Sequence, residues 1–478
     1  MSPVLLAAPA GSFAPLFWAV ALWVGFVVYG LWGLRTHPKG LNPLFFTEMW
    51  ERFSYYGMRA LLLLYMRLPE ANGGLGLSLP VAGSIYAFYT FSVYALSVPG
   101  GLIADRYLGY RKAVQIGGVL IALGEFGLAS GPRPLFFAGL TAIAFGTGLL
   151  KTNCTSLVGM LYPPNDPKQD AGYSLYYMGI NIGALIAPLI LGFMAQDPAF
   201  VQGLADVGLA GANGWRVAFG FAGLAMCAGL VQYTLRQGVL GEIGLVPGAK
   251  EHAAKKAEDQ APLTAEERGR MWVVAILVLF IMTFFFVFEQ AGTTLNLFAD
   301  EHTRDAVFGV TFPSSWFQSV NSIWLLLLAP VFSAAWIWLG AKDPSSPAKF
   351  TLGLFFVGVG MLILVPPSLA YTADPSLKVS PWWLVAVYFF HTVGELCLSP
   401  VGLSTVSKLA PARYAGLMMG VFFFAIGAGN MLAGFAGGFS DTLPPATLFG
   451  GLFAITTTMA VLLVVLSPKI KAMMAGVK

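Results

Sequence analysis

The 478-residue sequence has few charged residues. Asp, Glu, Lys and Arg make up 10% of it, against about a quarter of a typical soluble protein. Hydrophobic residues make up 57%, and the mean hydropathy is +0.73. This balance excludes a soluble globular protein as the first hypothesis and indicates a polytopic membrane protein. The net charge of +4 gives no reason to expect a nucleic acid partner.

Cysteine and histidine are also scarce, with three and four residues. An odd number of cysteines, all in apolar segments, argues against a disulfide framework. The histidines have no metal-ligand spacing, so no metal or other cofactor is predicted. Only His391 can share a helix face with a carboxylate, four residues before Glu395, and we expect a packing role for it. No Ser/His/Asp set or phosphate-binding loop occurs at a consistent depth, which argues against an intramembrane enzyme.

Long apolar runs dominate the chain. Windows of about 20 apolar residues predict thirteen membrane-spanning helices. Their bounds are 14–34, 43–66, 80–104, 113–130, 134–160, 172–194, 215–236, 271–298, 315–340, 350–370, 381–408, 414–437 and 446–467. No basic segment precedes the first run, so we interpret it as an extra N-terminal helix rather than a cleaved signal peptide.

The positive charges are distributed unevenly between the connecting segments. If the N-terminus is outside, nineteen of the 27 Lys and Arg residues lie on the inner side and five on the outer side. The positive-inside rule therefore favours an outside N-terminus and a cytoplasmic C-terminus in the cell membrane.

One long polar segment divides the spans. It is rich in Gly and in charges of both signs, and it is predicted to be a cytoplasmic linker. The predicted domains are an extra helix at 1–39, a six-helix bundle at 40–237, the linker at 238–270 and a second six-helix bundle at 271–478. Two such bundles are the architecture of secondary transporters that bind their solute near the midplane, which is an argument from fold analogy.

The second predicted span carries an unusual polar stretch, EMWERFSYYGMR, at residues 48–59. At about 100° per residue, its charged and tyrosine side chains share one helix face. Inserting an ionisable group at this depth costs at least about 2.5 to 3.5 kcal/mol unless the group is paired or in contact with water. A surface amphipathic helix is the alternative, but apolar residues flank the polar face on both sides. The stretch is therefore predicted to line a protein interior or an aqueous cavity.

Three other predicted spans each carry a charged residue at membrane depth. With the polar stretch they form a set of four acids and three bases: Glu48, Glu51, Arg52, Arg59, Lys151, Glu289 and Glu395. An excess carboxylate in a low-dielectric site binds a proton readily, because desolvation disfavours its charged form. The set is thus suited to a proton relay. A static salt-bridge network is the alternative, but buried pairs often stabilise a fold no better than apolar residues do. Glu125, nearer the outer end of its helix, is expected to make an interfacial or interhelical hydrogen bond instead.

Facing charges of opposite sign suit a zwitterion. Its carboxylate would meet Arg52 and Lys151, and its ammonium would meet a glutamate. Tyrosines near these charges can add hydroxyl groups and ring faces without adding charge; the candidates are Tyr55, Tyr56 and Tyr94.

The motif Glu48-x-x-Glu51-Arg52-Phe53-x-Tyr55-Tyr56 resembles the signature of the proton-coupled oligopeptide transporter family of the major facilitator superfamily. Further matches extend over nearly the whole chain. They are Asp105-Arg106, Lys151 with Asn153, Tyr176-Tyr177-x-x-Ile180-Asn181-x-Gly183, Phe288-Glu289-Gln290, Gln318 with Asn321, and Gly394-Glu395-Leu396-x-x-Ser399-Pro400.

The resemblance implies proton-driven uptake of di- and tripeptides by alternating access, by a protein that is not an enzyme and acts as a monomer. It implies that Arg52 and Lys151 hold the peptide carboxylate and that Glu395, with Ser399 nearby, receives the amino terminus. The other implied pocket residues are Tyr55, Tyr56, Tyr94 and Asn181.

The resemblance also assigns roles in coupling. Glu48 and Glu51 would take part in proton coupling, and Glu289 would pair with Arg59 as an extracellular gate that protonation releases. Two alternatives remain open. One is a proton-coupled carrier of the same fold for nitrate, a drug or a modified amino acid, and the other is a receptor that binds peptide without transporting it.

Overall fold

The structure is a computed structural model that describes residues 14–163, 166, 168–209, 213–245, 263–307, 309–411 and 414–474. It is almost entirely helical. The α-helices are α1 (Ala14–Leu34), α2 (Leu41–Arg67), α3 (Leu79–Ala95), α4 (Ser97–Ile103), α5 (Tyr110–Ala129), α6 (Arg133–Met160), α7 (Lys168–Gln196), α8 (Pro198–Asp206), α9 (Gly214–Arg236), α10 (Ala265–Phe288), α11 (Thr294–His302), α12 (Phe317–Leu339), α13 (Ser346–Ile363), α14 (Val365–Ala373), α15 (Trp382–Leu409), α16 (Ala415–Gly438) and α17 (Pro445–Met473).

Short turns and one hairpin complete the described secondary structure. The 3₁₀ turns are Glu70–Asn72, Gln237–Leu240, Glu289–Gly292, Ser314–Trp316 and Gly340–Lys342, and Ala104–Leu108 forms a π-helical turn. Strands β1 (Ala306–Val307) and β2 (Val310–Thr311) pair antiparallel, with Ala306 opposite Thr311. The sequence did not predict this hairpin or the short helix α8.

The helices agree with the thirteen predicted spans. In the described ranges, eleven helical segments are long and apolar enough to cross a membrane. Helix α2, with 27 residues, lies outside that group because its charges lower its hydropathy, and α1 adds a helix of 21 residues. The predicted fold is confirmed: an all-α polytopic membrane protein with two six-helix bundles and one extra N-terminal helix. The domain boundaries stay a prediction, and residues 246–262 of the predicted linker lie outside the described residues.

The extra helix α1 packs against α7. Gly33 provides the closest approach, because a Cβ at this position would lie 2.8 Å from Leu175 Cδ2. Just after α1, His37 Nδ1 lies 2.9 Å from Tyr162 Oη at the end of α6. The helix therefore contacts the bundle through a helix that also carries predicted site residues.

The apolar core of the first half is divided along α2. One cluster contains Phe53 and Met58, and another contains Phe45 and Met49. The polar face of residues 48–59 lies where the two clusters meet, so apolar side chains surround it at both ends. The second half has one large cluster, which extends from Val273 to Met474.

The two halves meet along α3 and α16, through small residues. A Cβ at Gly434 would lie 2.6 Å from Ala87 Cα, and one at Gly83 would lie 2.6 Å from Gly438 Cα. Small residues let helix backbones approach closely in a membrane, where van der Waals contact drives association. Larger side chains at these positions would separate the halves.

Arg111, near the start of α5, anchors the segment that follows α9. Its Nε donates to Ile243 O at 2.6 Å, its Nη2 donates to Gly241 O at 2.5 Å, and its backbone N donates to Gly244 O at 3.1 Å. The side chain is buried. The first described residues of the predicted linker are thus held against the first bundle.

Replacing Arg111 with Ala is expected to lower the stability of the protein by about 2 kcal/mol, because two charged hydrogen bonds to backbone carbonyls are lost. The thermal unfolding midpoint in detergent should fall by about 2 to 5 °C. Arg236→Ala is the control, since this exposed side chain makes one hydrogen bond, of 3.3 Å, to Asn42. Equal midpoints for the two variants would contradict the anchoring role.

Candidate functional site

The polar face of α2 forms a buried cluster around Arg52. Arg52 Nε lies 2.9 Å from Glu48 Oε1 and 2.9 Å from Glu51 Oε2. Glu48 also accepts a hydrogen bond from Tyr176 Oη of α7 at 2.5 Å. All three charged side chains are almost completely buried. One guanidinium therefore faces two carboxylates inside the bundle.

The cluster is not fully hydrogen-bonded. In the described part of the chain, neither oxygen of Glu51 has a hydrogen-bond partner, and neither does Arg52 Nη2. Buried polar atoms are usually paired, and each exception needs an explanation. The Glu51 oxygens can therefore accept a proton, and Arg52 Nη2 can donate to a ligand, without the loss of a hydrogen bond.

Lys151 of α6 lies close to this cluster without a salt bridge to any described residue. Its Nζ is 4.0 Å from the ring centroid of Tyr94 and 5.9 Å from that of Phe423 in α16. It is close enough to interact electrostatically with Arg52 and Glu51. The two predicted carboxylate-binding cations thus lie near each other, and an aromatic face covers the lysine.

Glu289 lies where a predicted continuous helix unwinds. The predicted span 271–298 is broken at Glu289–Gly292, a 3₁₀ turn between α10 and α11. Side chains satisfy the disrupted turn: Gln290 Nε2 donates to Phe286 O at 3.1 Å, and Gln290 Oε1 accepts from Thr294 Oγ1 at 2.6 Å. Irregular backbone at membrane depth occurs where it is buried in protein or lines a cavity.

The unwound segment brings Glu289 to Arg59 of α2. Arg59 Nη1 donates to Glu289 Oε2 at 2.6 Å, and both side chains are nearly buried. The Arg59 guanidinium also lies 5.2 Å from the ring centroid of Tyr56. This ion pair joins the two halves of the molecule, and its role as a gate stays a prediction.

Glu395 of α15 lies across the same region from the Arg59–Glu289 pair. Its Oε2 accepts from Asn321 Nδ2 of α12 at 3.2 Å, and Asn321 also donates to Thr392 Oγ1 at 2.9 Å. Within the described ranges Glu395 has no salt-bridge partner. Ser399 lies one turn further along α15, and its hydroxyl oxygen is buried and without a described partner.

A central cavity lies between the two halves. The volume of this cavity is about 100 Å³. Its walls come from α2, α7, α10, α12, α15 and the unwound turn. The lining residues are Tyr56, Arg59, Tyr177, Ile180, Asn181, Ala184, Pro188, Phe288, Glu289, Ala291, Gln318, Asn321, Ser322, Tyr388, His391 and Glu395.

The predicted site residues fall into two groups. Tyr56, Arg59, Asn181, Glu289 and Glu395 line the cavity. The other predicted residues lie outside this lining, in the Arg52 cluster or next to it and at Ser399. They are Glu48, Glu51, Arg52, Tyr55, Tyr94, Lys151 and Ser399. Arg52 precedes Tyr56 by one helical turn, so the cluster continues the same face of α2.

Several cavity residues were not assigned a role from the sequence. Gln318 and Asn321 were noted only as family matches, and Tyr177 was part of a matching motif. For His391 the sequence predicts a packing role. Its position on the same helix face as Glu395 was the feature that could have indicated a place in the cavity. No feature of the sequence indicated that Tyr388 lines the cavity.

Glu125 of α5 makes the interhelical hydrogen bond that was expected of it. The side chain is completely buried, and its Oε1 accepts from Ser54 Oγ of α2 at 2.7 Å. It lies within the first bundle, away from the cavity lining.

Hydrogen bonds close the end of the cavity near the Glu70 and Ser314 turns. Trp316 Nε1 donates to Leu189 O at 2.9 Å, and Asn296 Nδ2 donates to Ala60 O at 2.9 Å. Gln196 exchanges bonds with Ser314 and Ser315, at 2.8 Å and 2.7 Å. Arg67 pairs with Glu301 at the same end. These contacts join the two halves and seal the cavity on one side.

Replacing Gln196 with Ala is expected to loosen this closure at least about tenfold, because it removes four hydrogen bonds, to Asp300, Ser314 and Ser315, of about 0.5 to 1.5 kcal/mol each. The readout is the rate at which a membrane-impermeant maleimide labels Ser322→Cys, corrected for labelling of the chain without that cysteine. Gln202→Ala in α8 is the control, since Gln202 bonds only to Asp206. No increase in labelling for Gln196→Ala would contradict the sealing role.

Two six-helix bundles with buried opposite charges around a central cavity define a membrane transporter of the major facilitator type. The class follows from the fold and from charges that two halves share at membrane depth.

Comparisons with known proteins identify the family. The model of the POT family matches residues 111–248 and 248–447. The chain is 36% identical to YclF of Bacillus subtilis (strain 168), an uncharacterized transporter, over 93% of this chain and 96% of that protein. It is also 36% identical to the peptide transporter YePEPT of Yersinia enterocolitica, over 90% and 94%. The chain belongs to the POT family, so the predicted resemblance is confirmed, and it is a transporter rather than an enzyme.

Solved structures of the family agree with the fold. A mutant of peptide transporter POT in complex with alafosfalin is 34% identical and superposes with a TM-score of 0.81, covering 92% of this chain and 96% of that one. A POT family transporter in complex with 5-aminolevulinic acid is 30% identical with a TM-score of 0.80, covering 91% and 97%.

Proposed function

We propose that this chain carries di- and tripeptides into the cell together with protons, by alternating access. The observation that carries the proposal is the cavity between the halves, with Glu395 on one wall and the Arg59–Glu289 pair on the other. The names of its relatives support it, since they include a peptide transporter and a di-/tripeptide transporter.

The charges suit the two ends of a peptide. Glu395, which has no salt-bridge partner in the described ranges, is placed to receive the peptide ammonium from the cavity, with Ser399 one turn away. Arg52 and Lys151 would hold the carboxylate once they are released from their present contacts. Tyr56 and Asn181 line the path between them, and Tyr55 and Tyr94 lie against the cations.

Protons would act on the carboxylates that hold cations. A proton on Glu289 removes its charge and weakens the bond to Arg59, and a proton shared by Glu48 and Glu51 weakens their hold on Arg52. A ligand or proton shifts an equilibrium only by binding the two states unequally. Breaking the Arg59–Glu289 contact between the halves supplies that inequality.

The remaining features of the proposal concern location and partners. The chain would lie in the cell membrane with its N-terminus outside and its C-terminus in the cytoplasm, because most Lys and Arg residues then lie inside. It would act as a monomer in the lipid bilayer. Protons would be the coupling ion, with no cofactor, metal or nucleic acid required.

Competition distinguishes peptides from other solutes. Uptake of labelled di-alanine into proteoliposomes should fall to background with excess unlabelled di-alanine and stay unchanged with nitrate. The same assay tests a second candidate substrate, a modified amino acid, which is favoured by the relative solved with 5-aminolevulinic acid. Saturable uptake of labelled 5-aminolevulinic acid, with no saturable uptake of labelled di-alanine, would replace peptide with that class.

A further inference from the structure

His391 is a buried histidine whose hydrogen-bonding capacity is not used. Its exposed fraction is 1%, and neither ring nitrogen has a partner in the described part of the chain. It lines the central cavity. A neutral imidazole has one donor and one acceptor, and buried polar atoms of this kind are rarely left unpaired.

The ring is held in one place. It lies between Phe288, at 5.9 Å between centroids, and Tyr388, at 6.5 Å. The Cδ2–Nε2 edge packs against the backbone of α13, since a Cβ at Gly360 would lie 2.6 Å from Cδ2 and 2.9 Å from Nε2. The ring is therefore fixed, and Nδ1 is the nitrogen left to bind a ligand in the cavity.

The position of His391 relative to Glu395 limits what reaches it. The two residues are one turn apart on α15 and share a face, about 6 Å apart along the axis. A ligand whose ammonium binds Glu395 places the substituent of the adjoining carbon within reach of the imidazole. In a peptide, that substituent is the side chain of the first residue.

The surrounding charges limit the chemistry of that side chain. The charged groups of the cavity are Glu395, Glu289 and Arg59, and Arg59 is already paired with Glu289. An acidic side chain would compete with Glu395 for the peptide ammonium. An uncharged hydroxyl or carboxamide avoids this competition and can hydrogen bond to the free ring nitrogen.

We propose that His391 is a specificity-determining residue that hydrogen bonds to an uncharged polar side chain on the first residue of the peptide. The inference rests on the proposed function and deepens it, since it names a preferred substrate class: peptides that begin with Ser, Thr, Asn or Gln.

The test compares the inhibition constants of three unlabelled dipeptides against labelled di-alanine in proteoliposomes. Ser-Ala should bind about fivefold more tightly than Ala-Ala, the factor that one hydrogen bond of ordinary strength supplies. Ala-Ser, with the same composition, should resemble Ala-Ala. In His391→Leu the Ser-Ala advantage should disappear, and in His391→Gln, which keeps a donor and an acceptor, it should partly return.

The outcomes distinguish a failure of the role of His391 from a failure of the proposed peptide transport. If Ala-Ala competes but Ser-Ala has no advantage in the natural chain, the role of His391 is wrong and peptide transport stands. The same holds if the advantage persists in His391→Leu. If no dipeptide competes at all, the proposed function fails, and the specificity role fails with it.

Discussion

Replacing Glu289 with Gln is expected to abolish peptide uptake driven by a pH gradient while leaving peptide exchange measurable. Glu289 Oε2 and Arg59 Nη1 are 2.6 Å apart in a nearly buried pair that joins the halves. A glutamine has the shape of a protonated glutamate but cannot release a proton. Net uptake should fall more than tenfold, to the level of empty liposomes, and counterflow of labelled for unlabelled di-alanine should change only severalfold.

The matched control is Glu301→Gln. Glu301 also pairs across the two halves, with Arg67, but at the surface, where its side chain is 37% exposed. Exposed ion pairs contribute little to the stability of a contact, so this variant should keep gradient-driven uptake. A Glu289→Gln protein that still accumulates peptide in response to a pH gradient would refute the gate assignment.

Replacing Glu395 with Gln is expected to weaken the binding of peptides that have a free amino terminus by about a hundredfold. Removing one member of a buried charge pair costs about 2 to 5 kcal/mol, and each 1.4 kcal/mol is a factor of ten. The measurement is the inhibition constant of Ala-Ala and of N-acetyl-Ala-Ala for both proteins. Acetylation of the peptide should weaken binding strongly in the natural chain and hardly change it in the Glu395→Gln variant.

The comparison of the two ligands separates the ammonium contact from general damage to the protein. Glu125→Gln provides a second control, because Glu125 is a completely buried glutamate that bonds to Ser54 within the first bundle. Its affinity for Ala-Ala should stay within a few-fold of the natural chain. If acetylation costs the same before and after the Glu395 change, Glu395 does not bind the amino terminus.

Residues 48–59 show why much of this site could be predicted from the sequence. A helix in lipid has a fixed period, and ionised side chains at that depth must find partners or water. These two facts were enough to place Glu48, Glu51 and Arg52 on one buried face. The long apolar runs predicted the spans for the same reason.

The break at Glu289 could not be predicted, because the local sequence lacks proline, and a single glycine, Gly292, does not by itself end a helix. The unwound turn is stabilised by Gln290 through its bonds to Thr293 and Thr294. Whether a glutamine side chain replaces helical hydrogen bonds depends on tertiary packing around it. The predicted span over 271–298 agrees with the helical segment Ala265–His302, but the turn inside it was not predicted.

Neighbouring tyrosines illustrate a second limit. Tyr176 donates to Glu48 within the first bundle, whereas Tyr177 lines the cavity. Successive residues on a helix point about 100° apart, and the sequence does not specify which of the two directions faces the second bundle. The place of Lys151 against the ring of Tyr94 is likewise a property of three packed helices.

Accumulation of labelled di-alanine in proteoliposomes that are acidic outside and alkaline inside tests most directly whether the buried charges couple a zwitterion to protons. The internal concentration is expected to rise several-fold above the external one and to collapse when a protonophore is added. An internal concentration that never exceeds the external one, with or without the gradient, would contradict the account.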